Sequence, residues 1–379
     1  MFSDIRIYIV VGIFMIVCIS LMIFNFVIIH HIQRKNSSST GIVKRWIKRL
    51  YRQAPITSGK KLSTVKYEKF LLRKLAHTEN LVAYSQALQY LKDKSPEIYN
   101  SYADTKYVVF KKLANIYRRK SSIERTYYAE FIYDFPQVAE EAYGQLVDVL
   151  ISYIDGSNVY CRTNILRALC SLGSAQGVVR ALRTINNNSL FMHNRILTNE
   201  LSKFKGDKEI LAEYLWNECT DWNDNLLVSV IKFVTEFSDR YGNLLFPILQ
   251  DPSTDTEVRC NIIRYYGTYS HDPAYSILID FIVNPTNIDL AIEAAAALSL
   301  YPSSKTVTTL KDALSSPDWY IRYNASYALI KLGNKADLIE VLETQNEYAT
   351  EIIAYIFQLR ATLQNSNLQK KTDGEKASA

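Results

Sequence analysis

The sequence predicts an all-α protein in which an α-solenoid of helix pairs follows one transmembrane helix. The first observation behind this prediction is a 23-residue apolar run near the N-terminus. The second is the helical spacing of apolar residues from about residue 65 to residue 363, with few prolines or glycines inside the periods. The third is an internal repeat with steps of 31 to 33 residues, a period typical of solenoids.

The apolar run covers residues 7–29, after a short tail at 1–6, and contains no charged residue. A helix of this length spans the roughly 30 Å hydrocarbon core of a bilayer. Nine Lys or Arg and no acidic residue lie between 33 and 61, a pattern of the cytoplasmic side. We therefore expect a single-pass protein of the cell membrane, with its N-terminus outside and its solenoid in the cytoplasm. A cleaved signal peptide fits poorly, because no small-x-small site follows the run.

The basic segment 30–64 contains a predicted amphipathic helix at 42–53. Its apolar positions include Trp46 and Leu50, and the cations lie largely on the other side. Such a helix beside a membrane span would lie in the headgroup layer and contact anionic lipid. The alternative is a solvated charge run that only fixes topology. The predicted membrane-surface residues are Lys44, Arg45, Trp46, Lys48, Arg49 and Arg52.

Charge and composition narrow the function classes. Residues 1–61 carry ten of the 44 basic side chains and one of the 38 acidic ones, which leaves 34 basic and 37 acidic residues after them. A nucleic-acid partner is disfavoured, because it requires basic charge across the folded domain. The five cysteines form no Cys-x-x-Cys pair, and the five histidines form no metal-binding motif. We therefore predict no catalytic residue, no metal and no cofactor.

The repeat has a register that recurs along the chain. In each unit a short link and a second apolar helix follow the register helix. The residues at +3, +6 or +7 and +10 from the register residue are mostly apolar, as expected for one buried stripe per unit. Asn or Asp lies four residues before the register in five units, where it would cap the first helix. The register residues are Arg162, Arg195, Leu227, Arg259, Ala291 and Arg322.

The segment PDWYIRYNASYALIKLG at 317–333 is the most complete copy of this pattern, and 158–173 and 255–267 carry recognisable ones. The pattern resembles HEAT repeats of the short, bacterial HEAT-like kind. The resemblance implies regular repeats over 158–363, preceded by irregular helical repeats over 65–157. The polar tail at 364–379 is predicted to be disordered.

In proteins that this pattern resembles, the register helix lines a concave binding surface. On that surface the best unit would place four aromatic residues, Trp319, Tyr320, Tyr323 and Tyr327. Exposed aromatic clusters are common at binding hot spots. The alternative is that some of the 27 tyrosines cluster without purpose or pack against the next repeat. Neighbouring units would add Arg264, Lys232, Arg167 and Tyr160.

The resemblance and the predicted anchor together imply a non-enzymatic scaffold that binds a protein partner. We expect the partner to be membrane-associated, for example an enzyme complex of envelope or exopolysaccharide synthesis. The alternative is an enzyme built on the same repeats, of the HEAT-like lyase or glycosylase type. The acidic balance of residues 62–379 argues against a glycosylase, and no nucleophile or acid stands out for a lyase.

Overall fold

The structure is a computed structural model that describes residues 15, 17–24, 40–53, 64–103, 106–136, 143–332, 339–341, 343, 347–356 and 358. Within these ranges the backbone is helical or irregular and contains no strand, which confirms the all-α prediction. The chain divides into two compact units. The N-terminal unit comprises 1–185 and 203–206, and the C-terminal unit comprises 186–202 and 207–379.

The predicted membrane span at 7–29 lies mostly outside the described residues. Its described part, residues 15 and 17–24, is helical. Among the residues that the structure describes, no helix combines the length and the apolarity needed to cross a membrane. This finding contradicts the predicted single-pass membrane localisation. The predicted tail at 364–379 also lies outside the described residues.

The N-terminal unit consists of helices packed in two layers. In one layer the sixth helix packs between the third and the eighth, and in the other layer the fifth helix contacts the second and the seventh. Two-layer packing of this kind buries one apolar stripe of each helix. The helices are α1 (40–53), α2 (Thr64–Leu75), α3 (Thr78–Lys94), α4 (Pro96–Ala103), α5 (Tyr107–Arg118), α6 (Ser122–Asp134), α7 (Tyr143–Ile151), α8 (Val159–Leu172) and α9 (Ala175–Asn187).

Buried tyrosines hold the layers of the N-terminal unit together. The hydroxyl of Tyr117 donates to the carbonyl of Leu75 at 2.8 Å, and that of Tyr128 donates to the carbonyl of Phe110 at 2.5 Å. A buried hydroxyl needs such a partner, because leaving it unbonded costs desolvation energy. Burial raises the pKa of Tyr117 to about 12. Much of the tyrosine content is therefore core, including Tyr84, Tyr99, Tyr102, Tyr117, Tyr128 and Tyr153.

Glu124 joins α3 to α6 at the start of α6. Its carboxylate accepts hydrogen bonds from Lys120 Nζ at 2.8 Å and from Thr78 Oγ1 at 3.1 Å. It also accepts from the backbone N–H of Ser121, whose hydroxyl in turn caps the helix, so that the two residues form a capping box. The hydrogen bond from Lys120, with those from Ser121 and Thr78, lowers the pKa of Glu124 to about 2.

This lowered pKa predicts an acid-sensitive contribution to stability. Because the carboxylate is stabilised in the folded state, its contribution is present above the unfolded-state pKa of 4.5 and is lost as the pH falls towards about 2. We expect Glu124→Gln to be less stable than wild type at pH 7, with the difference shrinking between about pH 5 and pH 2. Urea denaturation across that range measures it. The exposed Glu97→Gln serves as control, and a pH-independent difference at Glu124 would contradict the prediction.

The C-terminal unit repeats one packing step. The first, third, fifth, seventh and ninth helices of this unit form a row in which each packs against the next. Each of the four helices between them packs against the helix that follows it in the chain. These helices are α10 (Asn194–Ser202), α11 (Lys208–Trp216), α12 (Asp224–Thr235), α13 (Gly242–Gln250), α14 (Thr256–Tyr266), α15 (Tyr275–Val283), α16 (Ile288–Ala297), α17 (Ser304–Ala313), α18 (Trp319–Leu332) and α19 (347–356).

The helix caps that the sequence predicts for five repeats are confirmed in all five. Each side chain accepts at least one hydrogen bond from a backbone N–H in the first turn, where a helix leaves its donors unbonded. Asp255, for example, accepts from Glu257 N at 2.8 Å and from Val258 N at 3.4 Å. The five caps are Asn158, Asn223, Asp255, Asn287 and Asp318.

Removing a cap gives a measurable effect in the C-terminal unit. We expect Asp255→Ala to lower the free energy of unfolding by about 1 kcal/mol, because the first N–H groups of α14 lose their acceptor. Asp255→Asn keeps the acceptor and is the matched control, expected within a few tenths of 1 kcal/mol of wild type. Chemical denaturation measures both. Equal losses in the two variants would contradict a capping role.

Three register arginines donate hydrogen bonds to carbonyl oxygens of the segment that precedes their own helix. Arg162 Nη1 donates to Ser157 O at 2.5 Å, and Arg322 Nη1 donates to Ser316 O at 2.7 Å. Arg259 Nε donates to Leu249 O of α13 at 3.1 Å, which links adjacent repeats. Register arginines at these positions serve the repeat rather than a ligand.

Candidate protein-binding surface

The N-cap of helix α18 determines where the helix begins and therefore which of its aromatic side chains are exposed. Asp318 Oδ1 accepts from Tyr320 N at 2.8 Å and from Ile321 N at 3.0 Å, so the helix begins at Trp319. Its apolar stripe, Ile321, Ala325, Ala328 and Leu329, is buried. The other face carries the four predicted aromatics, of which Trp319, Tyr320 and Tyr327 are exposed and Tyr323 is half-buried.

Three of these rings, Trp319, Tyr320 and Tyr323, are in contact, and a ring on α19 joins them. Trp319 stacks on Tyr323 with 5.1 Å between ring centroids and 17° between planes. Tyr320 meets Trp319 edge-on at 5.1 Å, and Tyr355 of α19 does so at 6.2 Å. We call Trp319, Tyr320, Tyr323, Tyr327 and Tyr355 the aromatic surface. It lies wholly within the C-terminal unit.

The aromatic surface exposes apolar area that folding does not need. Trp319 is 42% exposed and Tyr320 is 61% exposed, although both lie on a helix whose opposite face reaches the core. Offset and edge-on contacts hold the rings in place before any partner arrives. A partner then loses less conformational entropy in ordering them, which favours binding. The arrangement suits contact with an apolar protein surface.

Two predicted partner-binding cations of the C-terminal unit are engaged within the repeats. Arg264 Nη2 of α14 lies 2.5 Å from Glu293 Oε1 of α16. Lys232 Nζ of α12 lies 3.8 Å from Glu257 Oε1 of α14. Both pairs link consecutive register helices, so they stabilise the stack, and each cation would have to leave its carboxylate to bind a partner.

The other two predicted positions, Arg167 and Tyr160, lie on α8 in the N-terminal unit. Arg167 Nη1 donates to Asn164 Oδ1 at 3.3 Å, and its guanidinium lies over the ring of Tyr133 at 5.4 Å. Tyr160 is 75% exposed, as the repeat register predicts for a position outside the buried stripe. The structure therefore brings together the four aromatic positions of α18 and distributes the other four over three helices in two units.

Helix α1 directs its apolar side into the protein. Trp46 is 4% exposed and Leu50 is fully buried. The indole of Trp46 meets the ring of Tyr84 edge-on at 5.1 Å and lies 6.1 Å from the ring of Phe70. The expected insertion of Trp46 into lipid headgroups is corrected here, because α2 and α3 already cover that side chain. The exposed cations are Lys44, Arg45, Lys48, Arg49 and Arg52.

Sequence reasoning missed three residues of these two surfaces. Tyr355 joins the aromatic surface from α19, outside the clearest repeat copies, so no register position pointed to it. Phe70 and Lys74 of α2 adjoin the cations of α1. Their spacing of four residues places them on one helix face, which is the signal that could have found them.

Comparison with known proteins supports the repeat assignment. Residues 275–354, which hold α15 to α18 and most of α19, match the family described as HEAT repeats. No curated protein matches the sequence. Repeats of this family generally serve as protein-interaction scaffolds without enzymatic activity. The match includes four of the five residues of the aromatic surface, all but Tyr355, so the segment that carries most of the candidate binding site is similar to HEAT repeats.

Proposed function

We propose that this chain is a non-enzymatic scaffold that binds a protein partner through the aromatic surface. One observation carries the proposal: Trp319, Tyr320 and Tyr327 are exposed together on α18, inside the segment that matches HEAT repeats, and Tyr355 is exposed just beyond its end. Large exposed aromatics that contact one another are typical of the residues that dominate protein interfaces.

The shape of the surface favours a protein over a small molecule. The rings lie along exposed faces of α18 and α19. Small-molecule sites are concave and bury most of their ligand. The lyase or glycosylase alternative gains no support from the match to HEAT repeats. A membrane-associated partner stays a prediction from the sequence.

A comparative pull-down tests this function. The full chain and the double variant Trp319→Ala/Tyr320→Ala, each purified from its native cells, are compared by quantitative mass spectrometry. We expect one protein to be recovered with the wild type and to be depleted at least about tenfold with the variant, as loss of two hot-spot residues predicts. Tyr127→Ala, with a side chain 41% exposed on α6, is the control. Equal recovery with all three chains would contradict the proposal.

A further inference from the structure

A basic pocket lies between α1, α2 and the start of α3 in the N-terminal unit. Its volume is about 650 Å³, within the range of small-molecule sites. Trp46 and Phe70 form apolar walls, and Asn80 adds an amide. We define the basic pocket by its five cations, Arg45, Lys48, Arg49, Arg52 and Lys74.

None of the described residues that line this pocket carries a carboxylate. Elsewhere in the described part of the chain, cations such as Lys232 and Arg264 lie beside a Glu, whereas none of the five forms an ion pair with a described carboxylate. Five like charges around one cavity repel one another and create a positive potential that concentrates anions. The pocket is thus a site of positive potential that favours an anionic ligand.

Arg49 is held in place for such a ligand. Its guanidinium carbon lies 4.3 Å from the ring centroid of Phe70 and 5.6 Å from that of Trp46. Stacking uses the faces of the guanidinium and leaves its N–H edges available as donors. The edge-on contact with Tyr84 holds the indole of Trp46 in place, so Arg49 stacks on an ordered ring. A donor that is already ordered loses little entropy on binding.

We propose that the basic pocket binds a small anion that carries two or more phosphate groups, either free or as the headgroup of a lipid. Arginine matches phosphate oxygens with paired hydrogen bonds, and three of the five cations are arginines. Five cations exceed what a single carboxylate needs. The excess of acidic over basic residues beyond residue 61 does not suit an extended nucleic acid. The proposal concerns a different unit from the aromatic surface and does not depend on it.

Calorimetric titration of the full chain tests the proposal, with inositol trisphosphate as the free probe. We expect saturable one-to-one binding that weakens as salt increases. Arg45→Gln/Arg52→Gln should weaken it at least about tenfold, because two charge-assisted contacts are lost. Arg118→Gln/Arg119→Gln removes the same charge from exposed positions at the end of α5 and should leave the affinity unchanged. Circular dichroism checks that both variants fold.

Vesicles distinguish the two sources of the phosphates. Phosphatidylcholine vesicles with phosphatidylinositol bisphosphate are compared with vesicles of phosphatidylcholine alone. Tighter binding to the phosphorylated vesicles than to inositol trisphosphate assigns the lipid headgroup, and tighter binding to the free probe assigns the soluble anion. Absence of saturable binding to both probes, or equal weakening by the two double variants, would overturn the proposal.

Discussion

Replacing Phe131 by alanine is expected to lower the free energy of unfolding of the N-terminal unit by about 3–5 kcal/mol. Phe131 is 1% exposed, and its ring lies 4.9 Å from that of Phe110 and 5.4 Å from that of Phe135. The ring centroids of Tyr84 and Tyr128 each lie 6.2 Å from that of Phe131. The cavity left by the ring borders helices α3, α5 and α6, so neighbouring side chains cannot collapse into it without disturbing both layers. Urea denaturation followed by circular dichroism measures the loss.

Ile123 provides the matched control on the same helix. Its side chain is 63% exposed, so Ile123→Ala should change the free energy of unfolding by less than about 0.5 kcal/mol. A loss below about 1 kcal/mol for Phe131→Ala would mean that the aromatic cluster does not form the core of this unit.

Replacing Trp319 by alanine is expected to weaken binding of the protein partner about 30-fold, equal to about 2 kcal/mol. Trp319 is the central ring of the aromatic surface, because Tyr320, Tyr323 and Tyr355 all contact it. Its removal deletes contact area and also frees the stacked Tyr323. Titration of the purified partner, once recovered by pull-down, measures the affinity.

Two further variants separate a binding role from a folding role. Trp319→Phe keeps an aromatic ring and should lose only part of the affinity. Tyr127→Ala, at similar exposure in the other unit, should lose none. Thermal melting should show little change for all three variants, since none of these side chains is buried. Full affinity in Trp319→Ala would show that the partner binds elsewhere.

The repeat register could be predicted from sequence because it rests on local chemistry. An Asn or Asp four residues before the register residue bonds to N–H groups of the helix it starts, whatever lies beyond. The cap therefore fixed the start of α18 and, with it, the exposed face that carries Trp319 and Tyr320. Tyr355 could not be predicted in the same way, because its contact with Trp319 depends on how α19 returns to α18.

Whether the apolar side of α1 contacts lipid or protein could not be predicted from the residues of α1 alone. An amphipathic helix with Trp46 on one side and cations on the other has the same pattern whether its apolar side meets lipid or protein. The outcome depended on Phe70 and Tyr84, which lie on other helices and offer Trp46 an aromatic partner. The neighbouring apolar run pointed to lipid and so favoured the wrong environment for this side chain.

Site-directed crosslinking tests most directly whether the aromatic surface is a protein-binding site. A photoreactive phenylalanine analogue replaces Tyr320, which is 61% exposed, or Tyr127, which is 41% exposed, in the full chain, and cells are irradiated. We predict one dominant protein adduct from position 320, lost when Trp319→Ala is added, and no such adduct from position 127. The absence of a specific adduct at position 320, or the same adduct from both positions, would contradict the assignment.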